Sequence, residues 1–176
     1  RELVGGVQAP WAGWGGRGGV VAAVGWHKPP VQGCDSVPLG ALRYRATASP
    51  DYMARWFPDG VTAAGMRAAP ALVYSPKDRL QENWITKNVG KVRPLHWHQM
   101  PSTQAFIEAA KRGMGWGMNP ELLVGDAVAG GDLVDVIPDS AFDVPLYWQF
   151  NRRLAGALGP VSHRVRLAAQ SALIQA

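Results

Sequence analysis

Apolar and polar positions along the 176-residue chain fall into two alternating rhythms. Short apolar or strictly alternating runs recur at 20–24 (VVAAV), 41–49 (ALRYRATAS), 70–75 (PALVYS), 93–99 (RPLHWHQ), 133–137 (LVDVI) and 144–150 (VPLYWQF). Runs of that length and composition read as strands. The MGWGM segment, 114–118, reads as one more short strand, held close to its neighbours by glycine.

Between these runs the period lengthens and helix-start chemistry appears. Ser49 precedes Pro50 and Asp51, a cap, a first-turn proline and an acid in order, and predicts a short helix to about Phe57. Thr62 opens another through Met66 and Arg67. Ser75-Pro76 repeats the first signal and predicts a helix from Pro76 to Asn88, with Leu80, Trp84 and Val89 on one face. Ser102 or Thr103 caps a helix carrying Phe106, Ala110 and Met114 on one side and ending at Gly113. Asn119-Pro120-Glu121 predicts another, stopped by Gly130-Gly131. From Pro160 onward, Val161, Val165, Leu167, Ala168 and Leu173 predict a final amphipathic helix. Strands alternating with helices imply an α/β architecture, here with a mostly parallel sheet. Residues 1–19, glycine-rich with two tryptophans, show no period and read as irregular.

Composition narrows the class. Hydrophobic residues make up 47% and charged residues 18%, which suits a packed core and not a disordered chain. The net charge of +5 comes from scattered basic residues, so no direct nucleic-acid footprint is marked out. A single cysteine, Cys34, excludes an internal disulfide, favours a reducing compartment and reads as a small buried residue. No apolar run reaches membrane-spanning length, and the opening residues lack a secretory signal pattern.

Candidate chemistry is sparse. The glycines of GMGWG follow a helix, whereas a dinucleotide loop needs them between a strand and a helix, so they read as turn and packing residues. His96 and His98 share one strand face without a third ligand nearby, which is a poor zinc site. No G-x-S-x-G elbow or carboxylate pair marks a catalytic centre. The recurring feature is a set of helices that begin just after strands with Ser, Thr or Asn caps. Such N-termini offer free N–H groups suited to a carboxylate, and in α/β folds they collect at one sheet edge.

Four segments, RWFPDGVT, APALVYSPKDRLQ, PSTQAFIEAAKRGMGWGMNPEL and DVPLYWQFNRR, resemble the effector-binding domain of LysR-type transcriptional regulators. Within that family GWGM and VPLYWQ are most similar to the arginine- and lysine-responsive, ArgP/LysG-like subfamily, which controls a basic amino-acid exporter. The resemblance covers residues 20–173 and implies a type II periplasmic-binding-protein-like fold, two lobes joined by two crossover strands. Residues 1–45 and 138–176 would form lobe I, apparently incomplete at its N-terminal side, and 46–137 lobe II, with LRYRATAS and LVDVI as the crossovers. It further implies a small-molecule effector, lysine or arginine, in the interlobe cleft. Cytoplasmic location, self-association to a dimer or tetramer, and a DNA-binding winged helix-turn-helix that this stretch of sequence lacks are implied too. No cofactor, metal, catalytic residue or membrane partner is implied. A free-standing solute-binding protein of the same fold is the alternative.

Carried over by position, Ser102 and Thr103 are the helix-start residues that meet the effector, and Thr47 and Ser49 lie where the crossover enters the second lobe. Gln104 stands where relatives often place an acid. Asp78 has two candidate roles, partner of a ligand ammonium or cap of its own helix, and Trp97 is a candidate apolar wall.

Overall fold

The computed structural model describes residues 21–26, 30, 32–93 and 95–175. The irregular stretch at 1–19 and His27 lie outside the described residues. The chain divides into two compact units, Arg1–Leu42 with Val144–Ala176, and Arg43–Asp143. It passes from one to the other inside two long strands, β2 (Cys34–Ala48) and β7 (Phe142–Asn151). Residues 133–137, expected as a crossover, lie wholly within the second unit and contain only the two-residue strand β6 (Val134–Asp135).

In the first unit, β1 (Ala22–Gly25) pairs antiparallel with β7, from Ala22 opposite Phe150 to Gly25 opposite Tyr147. Beyond β7, the helix α6 (Gly159–Ala172) packs its inner face on this ladder. That face is Val165, Ala169 and Leu173, spaced four apart, which meets Leu39, Leu146, Trp148 and Phe150. Val161, Leu167 and Ala168, expected on the same face, are exposed. The start of β2 was missed because Pro38 and Gly40 look like strand breakers. Gly40 adopts φ +117°, and a Cβ there would sit 2.6 Å from the carbonyl oxygen of Ile174. The chain's end bonds at that point, Ala41 and Ile174 exchanging both N–H···O=C bonds at 2.9 and 3.0 Å. Cys34 is half-buried at the head of β2.

The second unit is a helix–sheet–helix sandwich. The end of β2 pairs antiparallel with β5 (Gly117–Pro120) and with β6. β3 (Ala71–Val73) pairs in parallel with β4 (Trp97–Gln99), and a parallel bridge from Ala71 to Trp116 joins the two ladders. The expected mostly parallel sheet is therefore corrected: β1/β7, β2/β5 and β2/β6 are antiparallel, and strand direction is a non-local property that periodicity does not encode.

Alternation along the strands sorts the side chains to two faces. On one, Ala46, Ala48, Ala71, Trp116 and Met118 meet α1 (Pro50–Trp56), α2 (Ala63–Ala68) and α3 (Leu80–Asn88) through Tyr52, Met66, Trp84 and Ile85. The rings of Trp84 and Trp116 lie 5.3 Å apart at the centre of this cluster. On the other, Leu72 meets α4 (Thr103–Lys111) and α5 (Glu121–Ala129) through Phe106, Ile107, Ala110, Val124 and Ala127.

The helix starts show where local chemistry suffices. Ser49 Oγ accepts the Tyr52 N–H at 3.2 Å and Thr62 Oγ1 accepts the Gly65 N–H at 3.1 Å, as the sequence predicts. Two expected starts fail. α3 begins at Leu80, not Pro76, because Ser75 and Asp78 bond the local backbone and hold 75–78 in a turn. Asn119 does not cap α5. Its side chain is buried and donates to Thr47 Oγ1 at 3.0 Å, leaving Pro120 in the cap position with no side-chain bond.

The GMGWG stretch is a packing device. Gly113, at φ +71°, closes α4: its N–H reaches the Ala110 carbonyl at 3.1 Å and the Met114 N–H reaches Ala109 at 3.0 Å. Met114 thus leaves the helix and is exposed. A Cβ on Gly117 would meet the Phe106 ring at 2.4 Å, so only glycine lets α4 lie this close to β5.

Candidate functional site

The sequence-derived candidates divide into three places within the second unit. At the end of β2, Thr47 is fully buried and tied to Asn119, and Ser49 is buried under its cap bond to Tyr52. The Tyr52 hydroxyl donates to the Pro70 carbonyl at 2.7 Å, and burial pushes its pKa up. These residues knit β2, α1 and the entry to β3 together. After β4, Ser102 accepts the Ala105 N–H at 3.4 Å, while Ser102, Thr103 and Gln104 are all exposed at the start of α4. Local capping accounts for the position of Ser102 and satisfies the Ala105 N–H of that first turn.

The third place is a cavity of about 340 Å³ lined by Ala71 and Val73 of β3, Leu95 and Trp97 beside and on β4, Ser75, Pro76, Asp78, Gln81 and Glu82 before and in the start of α3, and Arg93. It has the size of a small-ligand pocket. Two sequence candidates meet here, Asp78 and Trp97. Asp78, one residue before the cap position of α3 at Arg79, bonds the local backbone: Oδ1 accepts the Leu80 N–H at 3.0 Å and Oδ2 the Tyr74 N–H at 3.3 Å. Among the described residues it makes no ion pair, and its negative charge, after burial, helps hold the Tyr44 hydroxyl protonated. Glu82, by contrast, is bonded by Arg79 at 2.7 Å and Arg93 at 3.2 Å. Trp97 keeps 46% of its surface exposed at the cavity wall. Ser102, Thr103, Gln104, Thr47 and Ser49 do not line this cavity. Gln81, which sequence reasoning missed, does. In "KDRLQ" it looks like any polar helix residue, and only its burial to 2% exposure singles it out.

Two bidentate pairs fasten the ends of this unit. Arg43 donates twice to Asp143 at 2.8 Å, which raises the arginine pKa and lowers that of Asp143. Arg45 donates to Asp135 at 2.8 Å, with Glu121 3.9 Å away. Among the described residues no three His, Cys, Asp or Glu side chains converge to hold a metal ion, and no helix is long and apolar enough to cross a membrane.

A half-exposed indole, an unpaired carboxylate and a buried amide around a small cavity, on an α/β sandwich with helices starting at strand ends, define a ligand-binding domain. The chain belongs to the LysR substrate binding domain family, whose model matches residues 17–168, and its fold is periplasmic-binding-protein-like. It is 42% identical over 154 residues to the HTH-type transcriptional regulator ArgP of Pseudomonas fluorescens, covering 87% of this chain and 51% of that regulator. It matches the C-terminal domains of a LysR family protein from Agrobacterium tumefaciens at 47% identity and TM-score 0.88, over 94% of this chain and 79% of that one. Full-length LysG from Corynebacterium glutamicum with bound effector Arg matches at 33% identity and TM-score 0.77, over 90% of this chain and 54% of that one. The chain spans about half the length of the curated relatives it matches. Those relatives are regulators by name, not enzymes.

Proposed function

We propose that the chain is the effector-sensing part of a cytoplasmic, self-associating transcriptional regulator that binds a basic amino acid, arginine or lysine, and so controls expression of an amino-acid exporter. DNA would be engaged through a separate domain of the full protein. The observation that carries this reading is kinship with a regulator whose structure holds arginine as its effector. Two features of the second unit support it. The cavity offers the Asp78 carboxylate, which makes no ion pair among the described residues, to a cation, and the exposed start of α4 at Ser102 and Thr103 suits a carboxylate. Such a ligand regulates only by binding two states of the protein with different affinity. Thermal melting with L-arginine, L-lysine and L-leucine tests the reading. A ligand present at a hundred times its Kd stabilises by about 2.7 kcal/mol. The two basic amino acids should therefore raise the melting temperature, while leucine leaves it unchanged. Equal shifts with all three, or none with any, would defeat it.

A further inference from the structure

Gln81 is 2% exposed in the first turn of α3, and its Nε2 donates to the Leu72 carbonyl at 2.7 Å. A carbonyl only accepts, so this bond fixes which end of the amide points where. The other end, Oε1, is buried and has no hydrogen-bond partner among the described residues. A buried acceptor left unmade is costly and calls for an explanation. Gln81 lines the cavity over β3 and β4, beside Asp78 and Trp97. The Asp78 oxygens each accept one backbone N–H, so each retains acceptor capacity, and no cation neutralises the group among the described residues. The second carboxylate of the cavity, Glu82, is already held by Arg79 and Arg93. Around the cavity therefore stand an anionic acceptor with spare capacity, Asp78, a residue whose buried acceptor is unmade, Gln81, and an accessible indole, with Arg93 on the wall turned to Glu82.

We propose that this cavity seats a guanidinium group, with Gln81 Oε1 as the acceptor that determines specificity, Asp78 as the counter-charge and Trp97 as the stacking wall. The inference rests on the reading of the chain as a basic amino-acid sensor and deepens it. A guanidinium carries several N–H donors in a flat fork and stacks on aromatic faces, whereas an ammonium is a compact point charge. Separate acceptors beside an indole match the fork.

The test is a ¹⁵N titration of the chain with L-arginine, agmatine, L-lysine and L-norleucine. It follows the Trp97 indole N–H and the Gln81 side-chain amide, with calorimetry of the same samples. Agmatine keeps the guanidinium and lacks the carboxylate; norleucine keeps the amino-acid head and lacks the cation. Arginine and agmatine should move both resonances, lysine less, norleucine neither. Gln81→Met also removes the bond to Leu72, so it serves to assign the amide. Trp97→Leu, at an exposed position, carries the energetic test and should weaken arginine binding about tenfold. If arginine binds while both resonances stay fixed and Trp97→Leu leaves its Kd unchanged, the cavity assignment falls and the sensor reading stands. If agmatine moves both resonances but neither arginine nor lysine binds, the cavity assignment holds and the sensor reading falls. If no ligand moves either resonance, the cavity assignment is overturned.

Discussion

The two units bury their apolar residues on different scales. The second packs both faces of its sheet, with Trp84, Trp116, Tyr52 and Met66 on one side and Leu72, Phe106 and Val124 on the other. The described part of the first has a single small cluster, Leu39, Trp148 and Ala169, and the edges of Phe150, Val165 and Leu173 around it are only partly covered. Burial of apolar area is the main favourable term in folding. The comparison teaches that the second unit, which holds every candidate ligand residue, is also the one with the deeper core. Its cavity is floored by two residues of the buried core, Ala71 and Val73.

The comparison is broken most easily at the tryptophans. Trp84→Ala removes a fully buried indole and its N–H bond to the Ser140 carbonyl at 2.7 Å, and should cost about 3–5 kcal/mol in urea unfolding. Trp148→Ala in the first unit, whose cluster has fewer partners, should cost less under the same conditions. Equal losses would show that the units are equally packed.

Gly117→Ala comes next. The new Cβ meets Phe106 at 2.4 Å, so α4 must lift from β5. The expected loss in urea unfolding is about 1–3 kcal/mol. Gly131→Ala makes a useful contrast, because that glycine has φ +81° with open space around it, so only backbone strain is added.

Ser49→Ala removes the cap of α1 and should lower stability by about 1 kcal/mol, visible as an earlier urea midpoint with an unchanged slope.

The smallest effect concerns the exposed Arg43–Asp143 pair. The arginine's hydrogen bonds hold the Asp143 carboxyl below its ordinary value of 3.8. A carboxyl with a lowered folded pKa contributes stability that is fully present above the unfolded value and lost as pH falls through the folded one. The pair's contribution should therefore be complete at neutral pH and fade only below about 3.8. Arg43→Met should therefore lower stability slightly at pH 7, where the pair is intact, and leave it unchanged in strong acid, which flattens the acid limb of the stability–pH curve.

The parts legible in the sequence are those decided by neighbours in the chain. Ser49, Thr62 and Ser102 cap the helices they precede, and the glycines of GMGWG turn the chain and let it pack closely. The parts not legible depend on partners far along the chain. Asn119 has the makings of a cap, but Thr47, 72 positions away, takes its side chain. The extended β2 runs through Pro38 and Gly40 because the chain's last residues pair beside it. Asp78 was recognisable as either a cap or a ligand partner, and its backbone bonds leave room for both. Gln81 carried no signal, since its burial is created by the β3–β4 ladder and not by its own segment.

Calorimetric titration of the chain with L-arginine, against L-leucine as control, is the most direct measurement of the central claim. Saturable one-site binding of arginine with no heat from leucine is the result expected of a basic amino-acid sensor. Absence of arginine binding, or binding of leucine with equal affinity, would contradict it.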